Sequence, residues 1–132
     1  MHYVFVYGTL RKQQVNAHYL YGGICIALEA WTYGQLFDTN EGYPAMILSS
    51  DNKVYGEVYE VSDAILEKLD ELEEYTGNAE EDLYNRIIRP VYLGDKTITA
   101  YVYIAHSNVM LQKSILSGDW VDYLKVSNQH KI

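Results

Sequence analysis

Residues 84–105 read YNRIIRPVYLGDKTITAYVYIA, and this stretch decides the class of fold. Tyr84 to Leu93 is rich in β-branched and aromatic residues, Gly94-Asp95 is a turn signal, and Lys96 to Ala105 returns with Ile98, Ala100, Val102 and Ile104 at alternate positions. Successive side chains of a strand point to opposite faces, so the pattern predicts two strands joined as an antiparallel hairpin.

Five further strand patterns precede the hairpin. His2 to Tyr7 sets Tyr3, Phe5 and Tyr7 against Val4 and Val6, two largely apolar faces that suit a central strand covered on both sides. Gly23 to Leu28 and Thr32 to Phe37 follow, Gly42-Tyr43-Pro44 opens a short strand from Ala45 to Leu48, and Lys53 to Val61 is the fifth. Gly56 inside that last run marks a bulge or a close backbone approach. Val109 to Ile115 reads as a short helix, and another begins at Asp119-Trp120-Val121 and ends near Lys125. Seven short strands and one long helix indicate an α+β fold whose antiparallel or mixed sheet is curved enough to close as a barrel. The expected organisation is a single domain over residues 1–126 with a polar tail at 127–132.

The long helix is Ser62 to Tyr75. Ser62 is a natural N-cap and Asp63 complements the helix dipole. At about 100° per residue, Ile65, Leu66, Leu69 and Leu72 share one arc, and Glu73 falls inside it while Asp70 lies on its rim. A carboxylate held against an apolar face loses hydration, which raises its pKa toward the range useful for proton transfer. Glu73 is therefore a general acid/base candidate. The plainer reading ends the helix near residue 72 and sends Glu73 and Glu74 into a solvated acidic loop.

The chain of 132 residues is 48% hydrophobic, enough for one core, and its 18 acidic against 10 basic residues give a net charge of -8. No run of Lys and Arg supplies the basic patch that nucleic acid requires. No apolar run approaches the roughly 20 residues of a membrane span, and the N-terminus has no signal-peptide pattern, so a cytoplasmic protein is expected. The single cysteine, Cys25, lies in the run Ile24 to Leu28 and reads as a small buried hydrophobe. His2, His18, His106 and His130 are scattered and offer no metal-ligand spacing, there is no G-x-S-x-G, and Asp38, Glu41 and Asp51 read as loop solvation. Most of the 14 tyrosines read as structural.

Two motifs add chemistry. Tyr7-Gly8-Thr9-Leu10 ends the first strand in a turn able to expose backbone N–H groups to an anion or a developing oxyanion. Tyr84 and Arg86 share one side of a strand, where Tyr84 offers a hydroxyl and Arg86 can pair with a substrate carboxylate or with a carboxylate of the protein.

Taken together, Tyr7-Gly8-Thr9-Leu10, Gly34-Gln35-Leu36-Phe37, Gly42-Tyr43-Pro44-Ala45, Val54-Tyr55-Gly56-Glu57-Val58-Tyr59, Leu69-Asp70 followed by Glu73, Tyr84 with Arg86, and Ser117-Gly118-Asp119-Trp120 resemble the gamma-glutamylcyclotransferase-like family. This family includes gamma-glutamylamine cyclotransferases and AIG2-like plant relatives. The resemblance implies a small mixed, mostly antiparallel β-barrel of six to seven strands with flanking helices. It also implies a reaction: the α-amine of a γ-glutamyl amine or γ-glutamyl amino acid attacks its own γ-carbonyl, releasing 5-oxoproline and the free amine. Glu73 maps onto the catalytic glutamate, and Tyr7, Gly8, Thr9, Leu10, Tyr84 and Arg86 onto the substrate pocket. Neither metal nor cofactor is implied, and the partner is a small molecule. Glu74 stands where relatives often carry glycine, and the segment from Glu73 to Tyr84 is longer than in compact members. The alternatives are a module that keeps the cavity and binds without turnover, or an interaction domain with a tyrosine-rich surface.

Overall fold

The computed structural model describes residues 1–78, 82, 84–106 and 111–129. Its centre is a closed five-stranded barrel in the order β1-β5-β2-β6-β7, formed by β1 (His2–Val6), β2 (Ile24–Tyr33), β5 (Lys53–Val61), β6 (Tyr84–Leu93) and β7 (Lys96–Ala105). A second sheet of three strands, β4-β3-β8, uses β3 (Gln35–Asp38), β4 (Pro44–Ile47) and β8 (Lys113–Ile115). Two helices, α1 (Asp63–Leu72) and α2 (Trp120–Gln129), and a 3-10 turn at Ala17–Leu20 are the other regular elements among the described residues. Among the described residues pairing is antiparallel except where β1 meets β7 in parallel at Val4 and Tyr101.

The hairpin keeps the bounds read from its sequence, with Leu93 opposite Lys96 across Gly94-Asp95. Gly94 has φ +60, the left-handed conformation that a two-residue hairpin turn requires and that glycine adopts without strain. β1 is covered on both faces. Val4 and Val6 pack with Leu66 and Leu69 of α1, while Phe5 and Tyr7 join Val54, Val58, Val91, Val102 and Trp120. Ser62 caps α1 by accepting from the Ile65 N–H at 3.3 Å.

Four expectations need correction. Strands number eight among the described residues, because the run around residue 34 divides: Thr32 and Tyr33 finish β2, and β3 starts the second sheet. Gly34 makes this corner, its N–H donating to Asn52 and its missing Cβ leaving room for the Met46 methyl. Lys113–Ile115 is a strand and not part of a helix, since β3 has a free edge there and pairs Leu36 with Ile115; residues 109–110 of that expected helix lie outside the described residues. α2 runs to Gln129, past the expected end near Lys125. Cys25 is exposed, as are Ile24, Ile26 and Leu28, so neither face of this half of β2 is covered by the core, and its register against β5 shifts between Cys25 and Ala27 and again before Ala30. No helix among the described residues is long and apolar enough to cross a membrane.

Gly56 is a close approach and not the bulge itself. A Cβ there would run into the Val6 carbonyl and come within 2.9 Å of the Phe5 ring. Both contacts belong to the central strand, which has no room to yield. Gly56→Ala should therefore lose on the order of 3 kcal/mol in denaturant unfolding, and a loss below the usual scatter for surface changes would refute the packing argument.

Candidate active site

β1 delivers Tyr7 and the turn Gly8-Thr9-Leu10 to one end of the barrel. Tyr7 is buried and its hydroxyl donates to the Tyr103 carbonyl at 2.6 Å. Gly8 lies under the Pro44 ring, where a Cβ would stand 2.6 Å from Cγ. The loop beyond is closed at its base by Asn16, whose backbone N–H donates to Thr9 O at 2.8 Å and whose Nδ2 donates to Thr9 Oγ1 at 2.9 Å. The backbone N–H groups of Gly8, Thr9 and Leu10 donate to nothing among the described residues. Free N–H donors gathered in one turn form a site for an anion.

The turn is held from behind. Arg11 donates through Nε to Glu57 at 3.1 Å and through Nη1 to Asp119 at 2.9 Å. The buried Glu57 also accepts the Lys12 N–H at 2.8 Å and the Tyr59 hydroxyl at 2.7 Å. Asp119 in turn accepts the Asp122 N–H at the start of α2.

α1 ends at Leu72, as the plainer sequence reading had it, but Glu73 does not enter solvent. Its N–H still donates to Leu69 O, and the chain closes with a Schellman pair, Glu74 N–H to Glu71 O at 3.1 Å and Tyr75 N–H to Asp70 O at 2.8 Å. Glu74 takes φ +55 to make this closure, a position where glycine is the usual residue. Glu73 is half-buried as a residue and lines the cavity. Burial raises the carboxyl pKa to about 7. No described group donates to it.

Three tyrosines stand around that carboxylate. Tyr84 donates to Pro44 O at 3.0 Å, and Tyr103 donates to Asp70 Oδ1 at 2.6 Å. Burial raises the pKa of Tyr7, Tyr84 and Tyr103, and the charge of Glu73 raises each further, so all three remain protonated. Together with Tyr43 and Pro44 these groups enclose a cavity of about 470 Å³.

The structure brings together Tyr7, Gly8, Thr9, Leu10, Glu73 and Tyr84 along this cavity. Arg86 does not line it. Its guanidinium pairs with Asp70 at 2.6 Å and stacks against the rings of Tyr75 and Tyr101, so of its two sequence readings the pairing within the protein is the one formed. Sequence reasoning missed Tyr103, Tyr43 and Asn16 as wall residues, and it left Glu41 as loop solvation although Glu41 lines the cavity. The alternation of β7 carried the signal for Tyr103, which falls opposite Arg86 in register. Among the described residues no group of three His, Cys, Asp or Glu side chains is placed to hold a metal.

Comparison with known proteins fits this geometry. Residues 4–122 match the family described as gamma-glutamyl cyclotransferase, AIG2-like. The chain is 36% identical over 121 residues to the gamma-L-glutamyl-butirosin B gamma-glutamyl cyclotransferase of Niallia circulans, covering 91% of this chain and 76% of that one. It is 35% identical over 104 residues to a putative gamma-glutamylcyclotransferase of Halalkalibacterium halodurans, covering 77% and 91%. The crystal structure of YkqA from Bacillus subtilis superposes with a TM-score of 0.81 at 30% identity, covering 97% of this chain and 42% of that one.

The unpartnered carboxylate has a stability signature. Its folded pKa of about 7 lies above the ordinary 4.5, so the native state binds more protons between these values. Stability is then full below pH 4.5 and falls as pH rises through about 7. Glu73→Gln removes the loss. At pH 8 the variant should be more stable than the parent by about 2 kcal/mol, discounted from the full shift because water reaches the cavity. Near pH 4.5 the two proteins should melt together, and parallel melting at both pH values would show that the carboxylate is not desolvated.

Proposed function

The chain belongs to the gamma-glutamyl cyclotransferase, AIG2-like family, and we propose that it cyclises a γ-glutamyl amine or γ-glutamyl amino acid to 5-oxoproline with release of the amine. The observation that carries this reading is the pairing of one unpartnered carboxylate, Glu73, with the free N–H groups of Gly8, Thr9 and Leu10 across a single cavity. One group moves protons, and the other receives negative charge.

Glu73 takes a proton from the substrate α-ammonium, and the neutral amine attacks the γ-carbonyl carbon to close the five-membered ring. Negative charge moves to the carbonyl oxygen, where preorganised N–H donors are most effective. Glu73 returns its proton to the leaving nitrogen, the carbon–nitrogen bond breaks, and the proton lost by the ring nitrogen leaves with the departing amine as its ammonium. Glu73 ends as it began. Nucleophile and electrophile share one molecule, so the protein's work is to hold a folded conformer and manage one proton. Tyr7 and Tyr84 shape the γ-glutamyl end of the pocket. Arg86 acts from a distance by holding Asp70, which fixes the Tyr103 hydroxyl.

The test is 5-oxoproline release from a panel of γ-glutamyl amines and dipeptides with Glu73→Gln in parallel. Loss of an acid/base group should cost about 10²–10⁴-fold in kcat. In the parent, kcat/KM should rise with pH along a limb centred near 7, the pKa of the free Glu73, and this limb should vanish in the variant. Undiminished turnover by Glu73→Gln would remove Glu73 from the proton-transfer role.

A further inference from the structure

The cavity carries three carboxylates, Glu41, Glu73 and Glu74, and among the described residues no Lys, Arg or His lines it. Glu73 has a task in the reaction, while Glu41 and Glu74 have none. Both are exposed at the mouth, one from the loop before β4 and the other immediately after Glu73. Among the described residues neither has an ion-pair partner, although Glu57, Asp70 and Asp119 all pair with arginine. The two residues line the cavity together with Tyr43. After burial, the charges of Glu41 and Glu74, ahead of that of Glu73, are what raise the pKa of its hydroxyl.

The backbone sharpens the case for Glu74. Its φ of +55 is a conformation glycine adopts freely and glutamate does not, so a carboxylate stands at the mouth against the local backbone preference. The Glu41 loop is shaped by Asn40 at φ 65 and Gly42 at φ 92, and it is closed by Thr39, whose hydroxyl donates to Tyr43 O at 2.7 Å. Independently of these two residues, the buried Glu73 carboxylate, which no described group donates to, and the free N–H groups of Gly8 to Leu10 line the same cavity, and on the cyclotransferase reading they hold the γ-glutamyl group. The part of the substrate beyond its γ-carbonyl then faces the mouth.

Resting on the cyclotransferase reading above, we infer that Glu41 and Glu74 form a leaving-group subsite selecting amines that carry a second positive charge, such as diamines and polyamines. A neutral alkylamine finds no partner there. An amino acid or peptide leaving group brings a carboxylate toward two like charges with no cation on the wall to compensate it, and such juxtaposition acts as a rejecting element.

The experiment compares three probes of similar size: the mono-γ-glutamyl amide of 1,4-diaminobutane, γ-glutamyl-butylamide and γ-glutamylglycine. In the parent, kcat/KM should favour the diamine probe over the neutral one by about tenfold, with the anionic probe lowest. Glu41→Gln with Glu74→Gly should bring the diamine-to-neutral ratio toward unity and improve the anionic probe relative to both. Glu74→Gly also relieves the left-handed position, so a thermal melt no lower than the parent's confirms that the fold is kept. A parent that treats the three alike, or a preference that survives the double variant, overturns the subsite. If no probe is cyclised, the reaction fails as a reading, and calorimetric binding of the same intact probes still decides the subsite: tighter binding of the diamine probe, lost in the double variant, supports it, and equal affinities overturn it.

Discussion

The ion pair between Arg11 and Glu57 is the interaction on which the site depends. Both side chains are nearly out of water, at 11% and 5% exposure. A buried pair of this kind gives little net stability over an apolar replacement, but removing one partner strands the other at a cost of about 3–5 kcal/mol. What the pair supplies here is position. Glu57 sits on β5, Arg11 follows the turn, and the second arm of Arg11 reaches Asp119 at the start of α2. Three elements distant in sequence are thus tied around the loop that lines the cavity, and the Lys12 N–H bonded to Glu57 fixes the backbone as well as the side chain.

The parts of the fold set by local pattern were legible in the sequence. The hairpin of β6 and β7 needs only its alternation and a glycine turn, and Glu73 stood out because helical geometry placed a charge in an apolar arc. What could not be read depends on partners far along the chain. Glu57 and Arg11 are 46 residues apart, and nothing near Arg11 distinguishes it from the polar residues beside it. Lys113–Ile115 becomes a strand because β3 offers an edge more than 70 residues earlier. Cys25 was misplaced for a related reason. An apolar run of five residues has the same pattern in a buried strand as in one left uncovered at a barrel end, and only what packs against it from elsewhere in the chain separates them.

Arg86 illustrates a different limit. Its position relative to Tyr84 was read correctly, but a guanidinium on a strand has no local mark that tells a substrate contact from a structural one. The decision lies with Asp70 on α1, which takes both Arg86 and the Tyr103 hydroxyl. The result still bears on the site, since Tyr103 forms part of the wall.

That wall explains how a carboxylate can be surrounded by phenols and remain without a partner. A tyrosine hydroxyl has one proton to donate. Tyr7 gives its proton to the Tyr103 carbonyl, Tyr84 to the Pro44 carbonyl and Tyr103 to Asp70, so none of the three has one left for Glu73. Their pKa values are raised by burial, so the hydroxyls stay neutral and add no charge of their own. Glu73 also stands at the C-terminal end of α1, where the helix dipole disfavours a negative charge. Desolvation and dipole therefore act in the same direction, and no hydrogen bond from the wall opposes them. Among the described residues no cation lines the cavity to relieve the carboxylate. A polar wall whose donors are all engaged elsewhere thus keeps one proton acceptor available, and the stability lost by holding Glu73 ionised above pH 7 is the counterpart of that availability.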